Sequence, residues 1–298
     1  MTTGPTIGTR AIRVRGQVFH LAEAGPEDGP LVLLLHGFPE FWYGWHRQIG
    51  PLAAAGLRVV APDQRGYGRS SKPEDLAAYH LDEVAADVIG LADAFGRTSV
   101  QVVGHDWGGL VAWRAAAQYP ERIARAAILN APHPDAFAAY ARRTPSQALR
   151  SGYIGVFQLP WLPEALMRAG NFALLRRALT GSSRPDTFDE ATLARYAEAW
   201  AEPGALTGML NWYRALRLPR RPSPGPVAPP VLMLWGRRDV ALEPNLVEES
   251  LARCADGRVH WFPEATHWVQ HEEAEGVNAQ LAAFLTGREA PVIGREPA

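Results

Sequence analysis

Cysteine and long apolar runs are scarce in this sequence. Cys254 is the one cysteine among 298 residues, so an internal disulfide is excluded and a reducing compartment is favoured. The uninterrupted apolar runs, such as Leu31 to Leu35, are far shorter than the roughly 20 residues that a membrane-spanning helix needs. The N-terminus carries no apolar stretch that resembles a signal peptide. We therefore predict a cytoplasmic protein that does not span a membrane.

Blocks of like charge are missing as well. The 30 lysines and arginines nearly balance the 31 acidic residues, and the formal net charge is −1. This balance predicts neither a nucleic-acid partner nor a polybasic membrane patch, and it leaves small uncharged ligands open. No clustered histidine, cysteine and carboxylate spacing suggests a metal site, and we predict no metal and no cofactor.

Short strand-like runs alternate with helical patterns in the first part of the chain and again near its end. Such alternation is typical of an α/β fold with a mostly parallel central sheet flanked by helices. The predicted strands are Leu31–Leu35, Leu57–Ala61, Val100–Val103, Ile123–Leu129, Val231–Trp235 and Arg258–Phe262. The predicted helices are Asp82–Phe95, Trp107–Gln118, Glu243–Arg253 and His271–Leu285.

The strand pattern disappears in the middle of the chain. Residues 134–226 are rich in leucine, alanine and tryptophan at helical spacing, which predicts an inserted helical cap subdomain. Residues 218–230 contain six prolines, so this stretch is predicted to be a linker that returns to the core. The expected organisation is a core of residues 1–133 and 227–298, with the last dozen residues as a loose tail.

The segment from Val102 to Gly109 reads Val-Val-Gly-His-Asp-Trp-Gly-Gly, with a buried strand before it and a helix after it. Glycines on both sides of Asp106 suit a nucleophile elbow, in which the central residue has a strained backbone and the helix packs closely behind the strand. Most elbows carry serine at this position. An aspartate that caps the following helix is the alternative interpretation.

Aspartate in place of serine changes the chemistry of the elbow. A carboxylate is ionised at neutral pH and can attack a saturated carbon without a base to activate it. The product is an alkyl ester of the enzyme, which an activated water must cleave. The site therefore still needs a histidine and an acid, now for hydrolysis of the ester.

The remaining catalytic candidates follow late strands. His267 lies in a short loop between a predicted strand and the final helix, and His271 is the second choice for the base. Asp239 follows the strand that ends near Trp235 and is the predicted acid, with an ordinary turn aspartate as the alternative. Asn130, at the end of an earlier strand, is uncharged and cannot take the acid's part.

The loop His36-Gly37-Phe38-Pro39, directly after a buried strand, matches a loop that supplies one oxyanion-hole N–H group. We assign the two donors to the backbones of Phe38 and Trp107.

These motifs together resemble the soluble and microbial epoxide hydrolases of the α/β-hydrolase superfamily, over roughly residues 14–285. The matching segments are His36-Gly37-Phe38-Pro39-Glu40, Gly66-Tyr67-Gly68-Arg69-Ser70, Gly104-His105-Asp106-Trp107-Gly108-Gly109 and Trp235-Gly236-Arg237-Arg238-Asp239. The resemblance implies the α/β-hydrolase fold and a cis peptide bond between Phe38 and Pro39. It also implies that Tyr153 and Tyr213 in the cap donate hydrogen bonds to the oxygen of an epoxide.

The expected substrate is a small apolar epoxide. Asp106 attacks it, and His267, oriented by Asp239, activates the water that releases the diol. Haloalkane dehalogenases use the same nucleophile, but relatives often hold the halide with an asparagine where this chain has Phe38. A ligand receptor that kept the fold and lost turnover is a second alternative. The expected pocket residues are Phe38, Trp107 and five residues of the cap that could equally serve packing, namely Trp161, Leu166, Trp200, Met209 and Leu210.

Overall fold

Runs of β-branched residues and leucine form one central sheet of eight strands. The computed structural model of the protein describes residues 5–219, 221 and 225–288. The strands are β1 (Gly8–Val14), β2 (Gln17–Ala24), β3 (Leu31–Leu35), β4 (Arg58–Pro62), β5 (Val100–His105), β6 (Ile123–Leu129), β7 (Val231–Gly236) and β8 (Gly257–Phe262). They lie in the order β1-β2-β4-β3-β5-β6-β7-β8, with β2 antiparallel to both of its neighbours and β3 to β8 parallel.

The register of the parallel strands brings their carboxyl ends to one edge of the sheet. Leu35 pairs with Gly104, His105 pairs with Leu129, and Leu129 lies beside Leu234. The loops that follow β3, β5, β6 and β7 therefore leave the sheet side by side. In open α/β sheets this edge is where ligands bind.

Both faces of the sheet are covered, so its central strands are apolar on both sides. Leu33 and Val102 belong to one buried cluster, whereas Leu34 and Val103 belong to another on the opposite face. The twelve α-helices of the described residues are α1 (His46–Ala54), α2 (Leu81–Ala94), α3 (Trp107–Gln118), α4 (Pro134–Arg143), α5 (Pro145–Arg150), α6 (Tyr153–Phe157), α7 (Leu162–Ser182), α8 (Glu190–Ala201), α9 (Ala205–Arg214), α10 (Leu246–Leu251), α11 (Val269–Glu272) and α12 (Ala274–Thr286).

The predicted α/β architecture is confirmed, and the differences lie at particular elements. The antiparallel hairpin β1–β2 was not predicted, because its strands carry charged residues and are only partly buried. The helix predicted over Glu243–Arg253 is shortened to α10. The helix predicted over His271–Leu285 is two helices, α11 and α12, separated at Glu273, where the backbone leaves helical angles.

Between β6 and β7 the described residues form helices α4 to α9 and no strand. We use the word cap for residues 134–226, and their status as a separate subdomain stays a prediction. Residues 220 and 222–224 of the proline-rich linker, and residues 289–298 of the predicted tail, lie outside the described part. None of the helices that the structure describes combines the length and the apolar character needed to cross a bilayer.

Candidate active site

Asp106 lies in a sharp turn between β5 and α3. Its backbone has φ 50° and ψ −120°, which a non-glycine residue rarely adopts. A Cβ atom on Gly104 would lie 2.2 Å from the carbonyl oxygen of Gly108, and one on Gly108 would lie 2.0 Å from that of Leu35. Only glycine fits at these two positions, because helix α3 packs directly on the strands. This is the geometry of a nucleophile elbow.

The Asp106 side chain does not cap the helix that follows it. It makes no capping hydrogen bond to α3, so the alternative interpretation from the sequence is wrong. Its Oδ1 atom instead accepts a hydrogen bond of 2.8 Å from the backbone N–H of Phe38. Gly37 permits this approach, since a Cβ there would lie 2.4 Å from the Cβ of Asp106. The expected cis bond between Phe38 and Pro39 is present.

The histidine and the acid occupy the loops after β8 and β7. Nδ1 of His267 lies 2.8 Å from Oδ2 of Asp239, and Nε2 of His267 faces Oδ2 of Asp106 at 3.7 Å. Asp239 is held firmly, because its Oδ1 accepts the backbone N–H groups of Ala241 and Leu242 at 2.8 and 3.0 Å. The fold thus brings the three predicted residues together, with His267 between the carboxyl groups of Asp106 and Asp239.

Asn130 makes a contact with the site that was not predicted from the sequence. Its Nδ2 donates to Oδ2 of Asp239 at 2.8 Å, and its Oδ1 accepts the backbone N–H of Gly236 at 3.0 Å. It lies directly after β6 with a positive φ of 40°. The sequence indicated only that the amide of Asn130 cannot serve as the acid. The position of Asn130 directly after a buried strand was the signal that could have placed it in the site.

Opposite charges stabilise this arrangement. Burial disfavours a charge on His267, but attraction by Asp239, Asp106 and Glu40 raises its pKa to about 9. Burial of Asp239 acts against its ionisation, yet His267 and the hydrogen bond from Asn130 lower the pKa of that carboxyl group. The resting histidine is therefore positively charged at neutral pH, between two carboxylates.

His271, the second choice for the base, belongs to a different buried cluster. Its Nε2 lies 2.7 Å from Oε1 of Glu40, which also accepts a hydrogen bond from the hydroxyl of Tyr196. The other oxygen of Glu40 lies 3.2 Å from Nδ1 of His105, whose Nε2 in turn reaches the carbonyl oxygen of His267 at 2.8 Å. Burial opposes the charge of Glu40, but these histidines hold its pKa well below the usual range. The cluster supports the loop that carries His267.

Tyr153 and Tyr213 face each other across the space above Asp106. Their ring centroids are 5.9 Å apart, and the ring of Tyr213 also packs edge-on against Phe38 at 5.2 Å and Trp107 at 5.0 Å. Burial of the hydroxyl groups, and after it the negative charge of Asp106, raises the pKa of both tyrosines, although Tyr153 as a whole is 42% exposed. Both therefore keep their protons and can donate hydrogen bonds at neutral pH.

A cavity of about 350 Å³ joins these residues, and Asp106, Trp107, Tyr153 and Tyr213 all line it. Four of the other lining residues, Leu110, Trp113, Arg114 and Ala117, lie on one face of α3, which their helical spacing could have revealed. The rest of the wall comes from several elements of the core and the cap, and it includes His133, Phe137, Ile154 and Leu242.

Six of the seven predicted pocket residues do not line this cavity. Trp161 is 73% exposed and Leu166 is 47% exposed on the outer surface of the cap. Trp200 is buried elsewhere and donates its Nε1 proton to the carbonyl oxygen of Pro39 at 2.6 Å. Met209 and Leu210 are buried in core packing. Phe38 also lies outside the lining, although its ring contacts Tyr213.

Comparison with known proteins gives consistent matches over nearly the whole chain. The family model described as the alpha/beta hydrolase fold matches residues 30–274. The chain is 46% identical to the AB hydrolase superfamily protein YfhM of Bacillus subtilis, covering 92% of this chain and 96% of that protein. It is 36% identical to human epoxide hydrolase 4, covering 94% of this chain and 80% of that protein.

Solved structures also match nearly the whole chain. The Bacillus megaterium epoxide hydrolase in complex with an inhibitor superimposes with a TM-score of 0.85 and 30% identity, over 93% of this chain and all of that one. Epoxide hydrolase A of Mycobacterium thermoresistibile superimposes with a TM-score of 0.84 and 33% identity, over 96% of this chain and all of that one.

Proposed function

This chain belongs to the α/β-hydrolase family and is a hydrolase, and we propose that it converts apolar epoxides to vicinal diols through an ester of Asp106. The observation that carries the proposal is the position of Asp106. Its carboxylate lies in a nucleophile elbow, between the backbone N–H of Phe38 and the His267–Asp239 pair, below two protonated tyrosines. That combination suits an epoxide. When the ring opens, the oxygen leaves the attacked carbon but stays bonded to the other ring carbon.

In the first step, Oδ2 of Asp106 forms a bond to one epoxide carbon as the bond from that carbon to the ring oxygen breaks. The ring oxygen becomes an alkoxide that accepts hydrogen bonds from Tyr153 and Tyr213 and takes a proton from one of these hydroxyl groups, which recovers a proton from solvent. Oδ1 stays on the N–H of Phe38, where it becomes the carbonyl oxygen of the ester. The 3.7 Å between Oδ2 and Nε2 of His267 leaves Oδ2 without a hydrogen bond from the imidazole.

In the second step, water attacks the carbonyl carbon of the ester while His267 takes one proton from it. The tetrahedral oxyanion is stabilised by the N–H groups of Phe38 and Trp107, the second of which lies at the start of α3, where helical N–H groups have no carbonyl partner within the helix. Collapse of this intermediate breaks the bond between the carbonyl carbon and Oδ2, and His267 returns its proton to the departing alkoxide to give the diol. The carboxyl group of Asp106 then loses its remaining proton to solvent and is again a carboxylate. One diol oxygen then comes from Asp106 and the other from the epoxide.

The change of charge at Asp106 prepares His267 for its role. The negative carboxylate contributes to the raised pKa of the resting histidine. Ester formation removes that charge, so the pKa of His267 falls just when a neutral imidazole is needed as the base. Asp239 keeps the ring oriented throughout.

A single turnover in oxygen-18 water, with enzyme in excess over styrene oxide, tests the proposal. We expect unlabelled diol from the first turnover and the label in the peptide that contains Asp106. Label in the first diol would mean direct attack by water and would overturn the ester mechanism. Asp106→Ala is the control, and we expect it to fold normally and form no diol.

Parallel measurements separate the two alternative functions. Release of halide from a haloalkane, without diol formation from any epoxide, would identify a dehalogenase. Stoichiometric binding across a broad epoxide panel with no turnover would identify a receptor. The cytoplasmic location stays a prediction.

A further inference from the structure

Large exposed apolar side chains concentrate on one stretch of the cap. The described residues include ten such side chains, and six of them fall within residues 149–166. We call these six the cap patch; they are Leu149, Tyr153, Val156, Leu159, Trp161 and Leu166. The other four lie outside residues 149–166 at Ile7, Leu174, Leu216 and Val240. A concentration of this kind marks an interaction surface more often than chance exposure does.

Trp161 stands out within the cap patch. Its side chain is 73% exposed, and its backbone has a φ of 51°, outside the usual range for a residue with a side chain. Within the described part of the chain its indole stacks on no other aromatic ring, in contrast to Trp107, Trp200 and Trp212. The fold therefore presents a large aromatic side chain to the outside, where it does not contribute to the core.

The helices around the cap patch are basic, although the whole chain is not. From Pro134 to Ser182, helices α4 to α7 and their connections hold six arginines against Asp135 and Glu164, a net charge of +4 in a chain whose net charge is −1. Three of the six arginines are paired with acids outside this segment, Arg143 with Glu249, Arg150 with Glu243 and Arg176 with Glu190. Glu164 is paired with Arg214 at 2.7 Å. These six arginines are spread over 49 positions and form no block of like charge in the sequence. The net charge of the whole chain therefore does not reveal them.

Three of these arginines are available to a partner. Arg142, Arg168 and Arg177 are exposed, and none of them forms an ion pair with the residues that the structure describes. Arg168 lies in the first part of α7, seven residues after Trp161, which directly precedes that helix. Exposed apolar and unpaired basic side chains therefore occur in the same part of the cap.

We propose that the cap patch docks on the surface of an anionic lipid bilayer. Tryptophan and tyrosine favour the interface between lipid and water, leucine and valine can enter the acyl boundary, and arginine is attracted to anionic headgroups. A symmetric dimer through the same surface would place the unpaired arginines of one protomer, Arg142, Arg168 and Arg177, on the same side as those of another. Like charges at that contact disfavour the dimer, whereas an anionic bilayer complements both features.

The cap patch is continuous with the cavity at Tyr153. This residue is 42% exposed on the surface and also lines the cavity above Asp106. A bilayer bound at the patch therefore lies beside the route by which an apolar compound dissolved in lipid would reach the nucleophile. This consequence rests on the proposed function, whereas the docking itself does not.

Vesicle sedimentation of the full chain tests the docking. We expect binding to vesicles that contain about 30% phosphatidylglycerol in phosphatidylcholine, weaker binding as salt increases, and at least about tenfold weaker binding to pure phosphatidylcholine. The combined variant Leu149→Ser/Val156→Ser/Trp161→Ala should lose binding at least about tenfold, as should Arg142→Gln/Arg168→Gln/Arg177→Gln.

Ile7→Ser and Arg13→Gln are the matched controls, since both residues are exposed far from the cap patch, and both should bind as the native chain does. Circular dichroism melting verifies that each variant is folded. Equal binding by the native and patch variants, or no binding to anionic vesicles, would overturn the proposal. So would a native dimer in sedimentation equilibrium that the patch substitutions dissociate, because the surface would then serve self-association.

Discussion

Nε2 of His267 and Oδ2 of Asp106 lie 3.7 Å apart, too far for a hydrogen bond but close enough for their charges to interact strongly. This contact couples the protonation of the histidine to the state of the nucleophile. The pKa of about 9 for His267 reflects Asp239 first and Asp106 after it.

Removing the nucleophile's charge should lower the pKa of His267. In Asp106→Ala we expect a midpoint below that of the native protein, because Asp239 and Glu40 remain and the attraction by Asp106 is lost. Nitrogen-detected histidine NMR titration measures both midpoints. His46, whose pKa burial lowers to about 4, is the internal control, because Asp106 does not contribute to its shift. Identical His267 midpoints in the two proteins would contradict the coupling.

The same coupling predicts how the ester intermediate depends on pH. Hydrolysis needs neutral His267, and the neutral fraction rises as pH rises through its pKa. We therefore expect the alkyl ester of Asp106 to accumulate at acidic pH and to disappear faster as pH increases, with a midpoint below about 9 since the ester carries no charge. Quenched-flow mass spectrometry of the intact protein follows the ester. An ester lifetime that does not change with pH would argue against His267 as the base.

Loss of either tyrosine hydroxyl should slow ring opening. We expect Tyr153→Phe and Tyr213→Phe each to reduce the rate of ester formation about 10- to 1000-fold, because the developing alkoxide loses a hydrogen-bond donor. The rate of ester hydrolysis should change little. Tyr140→Phe is the matched control, since its hydroxyl binds Glu243 and lies outside the proposed mechanism. Single-turnover kinetics separate the two steps, and equal slowing of both would point to a structural defect.

The close packing behind the elbow gives a stability prediction. Gly104→Ala would place a methyl group 2.2 Å from a backbone oxygen of α3, which cannot move without shifting the helix. We expect a loss of about 2–4 kcal/mol in the free energy of unfolding. Gly50→Ala, in α1 with open space around it, should be neutral or stabilising by up to about 1 kcal/mol. Chemical denaturation measures both, and comparable losses would show that the elbow is less tightly packed than described.

Local sequence patterns predicted the buried parallel strands and the three loops of the site well. Strand β3 and helix α3 begin and end where the periodicity placed them, because a fully buried strand and a helix behind an elbow tolerate few residue types. Asp106, His267 and Asp239 follow strands whose carboxyl ends share one edge, so chain order alone implied their proximity.

The cavity wall could not be predicted in the same way. A tryptophan or leucine in the cap has the same local signature whether it faces the cavity, the core or the outside, and only the packing of α4 to α9 decides. Trp161 and Trp200 illustrate the outcome, one exposed at the surface and the other buried against Pro39. Asn130 was missed for a related reason, since its contact with Asp239 spans 109 residues of sequence.

That contact provides a final prediction. Asn130→Ala should remove one donor to the buried Asp239 carboxylate and one acceptor for the backbone N–H of Gly236. We expect the free energy of unfolding to fall by about 1–3 kcal/mol, and ester hydrolysis to slow more than ester formation, because Asp239 orients the base and not the nucleophile.

Asn130→Asp sharpens the test. The side chain keeps its size and its acceptor for Gly236, but a carboxylate replaces the donor 2.8 Å from Oδ2 of Asp239. Two carboxyl groups at that distance share a proton, which weakens the hold of Asp239 on His267 and should slow hydrolysis even where the fold is retained. Asn278→Ala, whose amide donates to the carbonyl oxygen of Arg47 far from the site, is the control. Native hydrolysis rates in both Asn130 variants would show that Asp239 needs no support from β6.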